Sequence, residues 1–281
     1  MKKILITGNS GYIGSHLSKL LSEKYPEYEI HGLDLNQPQY PVKVHHTQDI
    51  RNKVHTKHEY DTVIHLAAKV SVSESETAPT DYYLTNLIGT MNVLNSVKTK
   101  NFVFASTGAA EKCESAYGTS KKAAEDVVRE WCTYKKVPFT TFRFYNVIGS
   151  AGFKPTNPDG LMYNMMKAKD TGEFTLFGED YIESHDGTCV RDYVHVMEIC
   201  DSLDQAIHKS SNQIECLGHG VGHSVKEMVT LFELVNDCPR IKITYGPRRK
   251  GDIPVSVLAN VSPYMRNLYD IKELLKVDNI S

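Results

Sequence analysis

The chain has 281 residues, 41% of them hydrophobic and 23% charged, an ordinary composition for a globular protein with a large core. Its formal net charge of −2 argues against a nucleic-acid partner. No apolar run approaches the length of a membrane span, and the apolar start is too short for a signal peptide. We therefore expect no membrane partner. The six cysteines are scattered without a Cys-x-x-Cys pair, so we expect reduced thiols and a cytoplasmic location.

The first predicted elements are a strand, a glycine-rich turn and a helix. Apolar residues 4–6 precede three glycines spaced G-x-x-G-x-x-G: Gly8, Gly11 and Gly14. A helical pattern follows through Leu17 and Leu21. A lone glycine triplet is a weak signal, but in this order such elements form a dinucleotide site, with the pyrophosphate resting on the helix N-terminus.

A second strand is predicted over residues 30–34 and ends at Asp34, twenty residues after Gly14. An acid at that position accepts hydrogen bonds from the adenosine ribose and repels a 2′-phosphate, so it favours NAD over NADP. We expect Asp49 to bond the adenine amino group and Ile50 to pack on its ring. Residues 62–68 are predicted as a third buried strand, in which His65 is interpreted as a core histidine.

Residues 83–97 carry an apolar stripe at helical spacing, which predicts a helix that faces the core or a partner helix. The alternation of strands and helices, without an internal repeat, predicts an α/β fold with a doubly wound parallel sheet of the Rossmann type.

The next strand, predicted over residues 102–104, places the Thr107 hydroxyl at its carboxyl end. Tyr117 and Lys121 are four residues apart on the following predicted helix, so their side chains share one face. An ammonium beside a phenol favours the phenolate, which could then act as a base near neutral pH. Taken alone, Tyr-x-x-x-Lys more often means a half-buried tyrosine beside a solvated lysine.

Residues 139–144 are predicted as another strand, and residues 150–160 are rich in glycine, proline and asparagine, as is typical of a boundary. We therefore expect an NAD-binding Rossmann domain over residues 1–150. Residues 151–281 would form a smaller substrate-binding lobe, with some chain crossing back to the Rossmann sheet.

Together these motifs resemble the extended short-chain dehydrogenase/reductase superfamily, and within it the UDP-glucose 4-epimerase family. The more specific similarity lies in these stretches: residues 72–75, 83–90, 177–181, 186–196, 217–225 and 246–252. It runs from about residue 3 to residue 257, nearly the whole chain.

The resemblance implies an NAD-dependent 4-epimerase of UDP-hexoses, acting through a transient 4-keto sugar. Tyr117 would be the base, Lys121 would hold its phenolate, and Thr107 would bridge the sugar 4-oxygen and Tyr117. It also implies NAD contacts from these residues: Gly8, Ser10, Gly11, Tyr12, Ile13, Gly14, Asp34, Asp49, Ile50, Leu66, Ala67, Ala68, Asn86, Tyr117, Lys121 and Tyr145. The implied substrate contacts are Thr107, Tyr117, Asn146, Leu161, Phe177, Arg191, Arg249, Asp252 and Ser256. A homodimer built through the helices at residues 83–97 and 117–131 is implied as well.

The sequence departs from the family pattern at several points. The connection from Thr107 to Tyr117 is shorter than usual, Gly160 replaces an asparagine expected near the sugar, and Val147 and Val70 replace a proline and a lysine. Ser256 replaces a bulky tyrosine, so UDP-GlcNAc and UDP-GalNAc are hypothetical further substrates.

Three alternatives remain at this point: a uronate 4-epimerase, a sugar-nucleotide reductase and a non-catalytic NAD-binding sensor. Dehydration at C4 and C6 is disfavoured because Gly108 and Ala109 follow Thr107 where an acid and a base would be needed. The histidine pairs 55/58 and 219/223 lack a third ligand, so we expect no metal site.

Overall fold

The predicted motifs meet along one parallel sheet of seven strands. The computed structural model describes residues 1–277. Its strands, in chain order, are β1 (Lys3–Thr7), β2 (Glu29–Asp34), β3 (Val44–Thr47), β4 (Glu59–Tyr60), β5 (Thr62–His65), β6 (Lys98–Thr99), β7 (Phe102–Thr107), β8 (Phe139–Phe144), β9 (Asn146–Ile148), β10 (Glu173–Phe177), β11 (Val190–His195), β12 (Ile214–Leu217), β13 (Gly222–Ser224), β14 (Lys242–Gly246) and β15 (Val255–Ser256). The main sheet has the order β12-β8-β7-β5-β1-β2-β3. This order confirms the predicted doubly wound α/β fold.

The helices pack on both faces of this sheet and in the second half of the chain. In chain order they are α1 (Tyr12–Lys24), α2 (Val72–Thr77), α3 (Pro79–Tyr82), α4 (Gly89–Ser96), α5 (Ala116–Lys135), α6 (Leu161–Thr171), α7 (Val196–His208), α8 (Val225–Val235) and α9 (Ile271–Leu275). A π-helical segment, Tyr83–Ile88, joins α3 to α4, and a 3₁₀ turn, Gly108–Ala110, follows β7.

Strand β1 shows why the sheet is covered on both sides. Successive side chains of a strand point to opposite faces. Ile4 and Ile6 belong to a core that α1 and α7 cover, whereas Leu5 belongs to a second core that α4 and α5 cover. A parallel sheet with both faces buried in this way places its strand ends, rather than its faces, at the functional surface.

The second half of the chain builds a separate core beside the strand ends. Strands β10 and β14 pair in parallel, and β11 pairs with β9, β13 and β15. Apolar residues of α6, α8 and α9 pack together there, including Met165, Phe232 and Leu274. The chain also returns to the main sheet, because β12 pairs with β8.

Two predicted elements differ from the structure. Strand β5 ends at His65 and does not continue to Ala68, and the Ala67 backbone lies against the glycine-rich turn, since a Cβ on Gly8 would be 2.7 Å from the Ala67 nitrogen. The helix predicted from residue 83 begins earlier, with α3, and passes through the π-helical segment. There the Asn86 side chain bonds both the N–H and the carbonyl of Lys69, an attachment that residue patterns do not reveal.

Candidate active site

A cavity of about 1020 Å³ lies between the carboxyl ends of the main strands and the second lobe. All the predicted cofactor and substrate residues line it except Asn86. Asn86 lies behind the cavity wall, where its amide also donates to the Ser120 hydroxyl. The sequence therefore predicted one set of residues that the fold brings to a single cavity.

The glycine-rich turn forms one end of the cavity. Gly8 has a φ of +76°, which favours glycine, and a Cβ on Gly14 would lie 2.1 Å from the Gly8 carbonyl oxygen. Gly11 precedes α1 with no side chain bonded to the first turn of the helix. Backbone N–H groups at the start of α1 can therefore reach an anion, and the turn fits a dinucleotide pyrophosphate.

The two predicted adenosine acids have different surroundings. The Asp34 carboxylate accepts the Ser10 N–H at 3.1 Å and the Asn36 N–H at 3.0 Å, which fixes it at the end of β2. Asp49 instead accepts hydrogen bonds from the Arg51 side chain, from Nε at 2.8 Å and from Nη2 at 2.6 Å. These bonds hold the pKa of Asp49 below its usual range.

Thr107, Tyr117 and Lys121 meet at the centre of the cavity. Thr107 ends β7, and its hydroxyl oxygen accepts the Ala109 N–H at 3.3 Å. The 3₁₀ turn and Ser115, which caps α5 by accepting the Gly118 N–H at 3.1 Å, span the short connection to Tyr117. The three side chains predicted for proton transfer thus face the same space.

Burial dominates the electrostatics of Tyr117 and Lys121. Burial raises the pKa of Tyr117, and a hydrogen bond with Thr107 offsets only part of that rise. Burial also lowers the pKa of Lys121 to about 7, against a smaller opposing effect of Glu125. Desolvation therefore disfavours both charged forms in the protein without NAD, and stabilisation of the phenolate by Lys121 stays a prediction.

The other end of the cavity carries the predicted substrate residues. The Arg249 guanidinium lies 4.0 Å from the centre of the Phe177 ring. Arg191 donates to the Asp252 carboxylate at 3.3 Å. Ser256 lies opposite Arg191 in the β11–β15 pair. Asn146 donates to the Asp192 carbonyl at 3.1 Å. Two arginines and an aromatic ring in one cavity suit a nucleoside diphosphate ligand.

Some residues at the site were not singled out from the sequence. Glu125 is buried below Lys121, binds Arg143 through two hydrogen bonds of 2.8 Å and accepts the Ser106 hydroxyl at 2.6 Å. The sequence signal that could have identified Glu125 is its position four residues after Lys121. Asp159 also lines the cavity and is bonded by Ser71 and Ser73, more than eighty residues away in the chain.

Residues 1–277 also contain the remaining predicted features. His65 is a core histidine as expected, bonded to Thr7 at 2.6 Å and to Thr90 at 2.9 Å, and burial lowers its pKa to about 3. All six cysteines are free thiols. No group of three or more His, Cys, Asp or Glu residues within this range could hold a metal ion. Nor is any helix in the same range both long and apolar enough to cross a membrane.

Comparison with known proteins identifies the family. Residues 4–216 match the NAD dependent epimerase/dehydratase family. The UDP-glucose 4-epimerase of Haemophilus influenzae is 31% identical, over 89% of this chain and 87% of that protein. The Bifidobacterium longum UDP-glucose 4-epimerase, solved with NAD⁺ and UDP, superposes with a TM-score of 0.85 at 25% identity, over 97% of this chain and 96% of that one. The UDP-Glc/GlcNAc 4-epimerase of Campylobacter jejuni gives 0.76 at 27% identity, over 98% and 97%. The resemblance predicted from the sequence is confirmed, and the chain belongs to the NAD dependent epimerase/dehydratase family.

Proposed function

We propose that this protein is an NAD-dependent 4-epimerase of UDP-hexoses. The observation that carries the proposal is the convergence of Thr107, Tyr117 and Lys121 in the cavity that the glycine-rich turn also lines. A protein that only sensed NAD would need the turn without this hydroxyl, phenol and amine. The relatives named UDP-glucose 4-epimerase support the same activity.

The cofactor end fits NAD rather than NADP. Gly8, Gly11 and Gly14 leave room for the pyrophosphate at the start of α1. Asp34 lines the cavity at the end of β2, where its carboxylate can accept ribose hydroxyls and repels a 2′-phosphate. When bound, NAD supplies a reversible acceptor for the hydride at C4 of the sugar.

The chain's own residues handle the proton. Tyr117 removes the proton from the 4-hydroxyl and returns it once the sugar has presented its other face. Because burial raises the pKa of Tyr117, the phenolate needs positive charge nearby, which Lys121 and a bound nicotinamide ring both provide. Thr107 bonds the 4-oxygen and the phenol and fixes the distance between them.

Arg191 and Arg249 anchor the diphosphate, Phe177 borders the uracil, and Asn146, Leu161, Asp252 and Ser256 complete the substrate wall in this proposal. The sugar is then tethered through its diphosphate and remains free to rotate within the cavity. Ser256 leaves room beside the sugar, so we include UDP-GlcNAc and UDP-GalNAc among the substrates.

The test is to incubate the purified protein with UDP-glucose, and separately with UDP-GlcNAc, without added cofactor. We expect the C4 epimer to form without net production of NADH. NMR of the sugar anomeric protons measures the amount of each epimer. Accumulation of NADH would indicate a dehydrogenase, and no turnover with bound NAD would contradict the epimerase. Epimerisation of UDP-glucose alone would contradict the role given to Ser256.

The proposal also covers the oligomeric state of the protein and the roles of its two lobes. Leu84, Ile88 and Met91 are 43%, 39% and 37% exposed on the segment from Tyr83 to Ser96, as expected of a helix face that a second copy covers. We therefore assign a homodimer, which light scattering can test. We also assign NAD binding to residues 1–150 together with β12, substrate binding to residues 151–281, and a cytoplasmic location.

A further inference from the structure

Asp159 joins the two walls of the cavity. It lies on the segment that crosses from β9 to α6, and it lines the cavity. Its Oδ2 accepts hydrogen bonds from the hydroxyls of Ser71 and Ser73, which belong to the opposite wall after β5. The carboxylate is thus held at a fixed place by residues of the cofactor-binding half.

That place is the reacting end of the cavity. Ser71 donates its N–H to the Tyr82 hydroxyl at 3.1 Å, and the Tyr82 ring packs edge-on against Tyr117 with centroids 6.2 Å apart. One turn along α2, Glu76 accepts the Ala116 N–H at 3.3 Å, directly before Tyr117. Asp159 is therefore linked through two residues to the side chain proposed to hold the sugar 4-hydroxyl.

Asp159 is charged at neutral pH. Burial pushes its pKa up, but the bonds from Ser71 and Ser73 and the charge of Arg249 outweigh that effect and leave the pKa below its usual range. Arg249 is the cation that acts on Asp159, and it also faces the proposed diphosphate position.

Two of the other cations on this side are paired with carboxylates. Lys69 binds Glu74 at 2.7 Å, and Lys250 binds Glu76 at 3.1 Å. Lys112 lines the cavity but is exposed on the connection before α5. Glu74 also lies near Asp159, but its charge is balanced by Lys69. This wall therefore presents negative charge to a sugar.

We propose that Asp159 is a specificity-determining residue that excludes hexoses carrying a carboxylate at C6, so that the site accepts UDP-sugars whose hexose is uncharged. The inference rests on the proposed function, since it assumes that a UDP-hexose occupies the cavity with its 4-hydroxyl at Tyr117. C6 is attached to the carbon next to C4. A carboxylate there must enter the space beside Tyr117 and meet the fixed charge of Asp159.

The expected size of the effect follows from like-charge repulsion in a partly desolvated site. One such contact weakens binding by about 10- to 100-fold. We expect the protein to bind UDP-glucose at least tenfold more tightly than UDP-glucuronate, and Asp159→Asn to narrow that ratio by about tenfold. The asparagine can still accept bonds from Ser71 and Ser73, so mainly the charge changes.

Isothermal titration with UDP-glucose, UDP-glucuronate and UDP alone measures the ratio without requiring turnover. Ser73→Ala is the matched control: it removes one bond to Asp159 but no charge, and the ratio should stay as in the parent protein. Equal affinity of the parent for the two sugars, or an unchanged ratio in Asp159→Asn, overturns the proposal. A substitution that weakens the whole site lowers the affinity for both sugars equally and leaves their affinity ratio unchanged.

Failure of the epimerase proposal is visible separately. If UDP-glucose binds but is not epimerised, the proposed function fails while the affinity ratio still tests Asp159. If neither UDP-glucose nor UDP-glucuronate binds while UDP does, no sugar is accommodated beside Asp159 and both proposals fail. Epimerisation of UDP-glucose together with equal affinity for the uronate overturns the role of Asp159 alone.

Discussion

The ammonium nitrogen of Lys121 lies 4.3 Å from the centre of the Phe104 ring, in the interior between α5 and β7. Phe104 provides a favourable ring face but no hydrogen bond, so desolvation controls the charge of the lysine. With a pKa of about 7, Lys121 exchanges its proton near the pH at which the proposed reaction occurs.

This relationship predicts how stability depends on pH. The pKa of Lys121 is about 7 when folded, against 10.5 for an ordinary lysine, so the unfolded chain binds more protons between these values. The free-energy cost of burying Lys121 is largest below pH 7 and decreases as the pH rises toward 10.5. We expect Lys121→Met to remove a stability increase of about 1 kcal/mol per pH unit over pH 7.5–9.5, measured by urea unfolding of the NAD-free protein. An equal pH slope in parent and variant would contradict this prediction, and Lys122→Met, at an exposed ion pair, is the control.

A second prediction concerns the buried pair below Lys121. Glu125→Gln removes the buried carboxylate that pairs with Arg143 and leaves the arginine only the longer contact with Glu111 at 3.4 Å, which costs about 3 kcal/mol of unfolding free energy. The neighbouring Asp126→Asn removes a carboxylate that is paired with Lys122 and Arg129 in an exposed position, and it should cost less than about 1 kcal/mol. Urea titrations of both variants at pH 7 measure the difference, and similar losses in the two would show that Glu125 is not buried as described.

The glycine-rich turn gives a third prediction. In Gly14→Ala the new Cβ would lie 2.1 Å from the Gly8 carbonyl oxygen and 2.6 Å from Asn9 Cα, so the backbone of the turn must move. We expect the purified variant to retain less than about a tenth of the NAD of the parent, measured by absorbance after denaturation. Gly172→Ala, the control, introduces a side chain with nothing within 4 Å of it, although at a φ of +75°, and should keep its NAD.

The fourth prediction addresses the proposed base. Tyr117→Phe keeps the ring that packs against Tyr82 but removes the proton carrier, and should lower kcat by about 10²- to 10⁴-fold. Bound NAD and the affinity for UDP should change little, because the phenol contacts the reacting sugar rather than the diphosphate. Tyr134→Phe, at a side chain 80% exposed, controls for loss of a surface phenol. Retention of more than about a tenth of parental kcat would remove Tyr117 from its role.

The sequence was most informative where function depends on local order. The glycines after β1 and Asp34 after β2 could be located because the end of a buried strand is visible in the sequence as the end of an apolar run. The charge states of Tyr117 and Lys121 could not, since they depend on how much protein surrounds them. Neither could the contacts of Asp159, whose partners on the other wall are brought close only by the complete fold. The bonds of Asn86 to the Lys69 backbone could not be located for a similar reason.

The return of the chain to form β12 has a consequence for synthesis. While the protein is being made, β8 has no neighbour on its outer side until residues 214–217 have left the ribosome. An unpaired strand edge is a template for pairing with another chain. The nascent polypeptide therefore passes through a stage at which two unfinished copies can join through β8. A fragment that stops at residue 150 would stay at that stage and aggregate rather than yield a smaller nucleotide-binding protein.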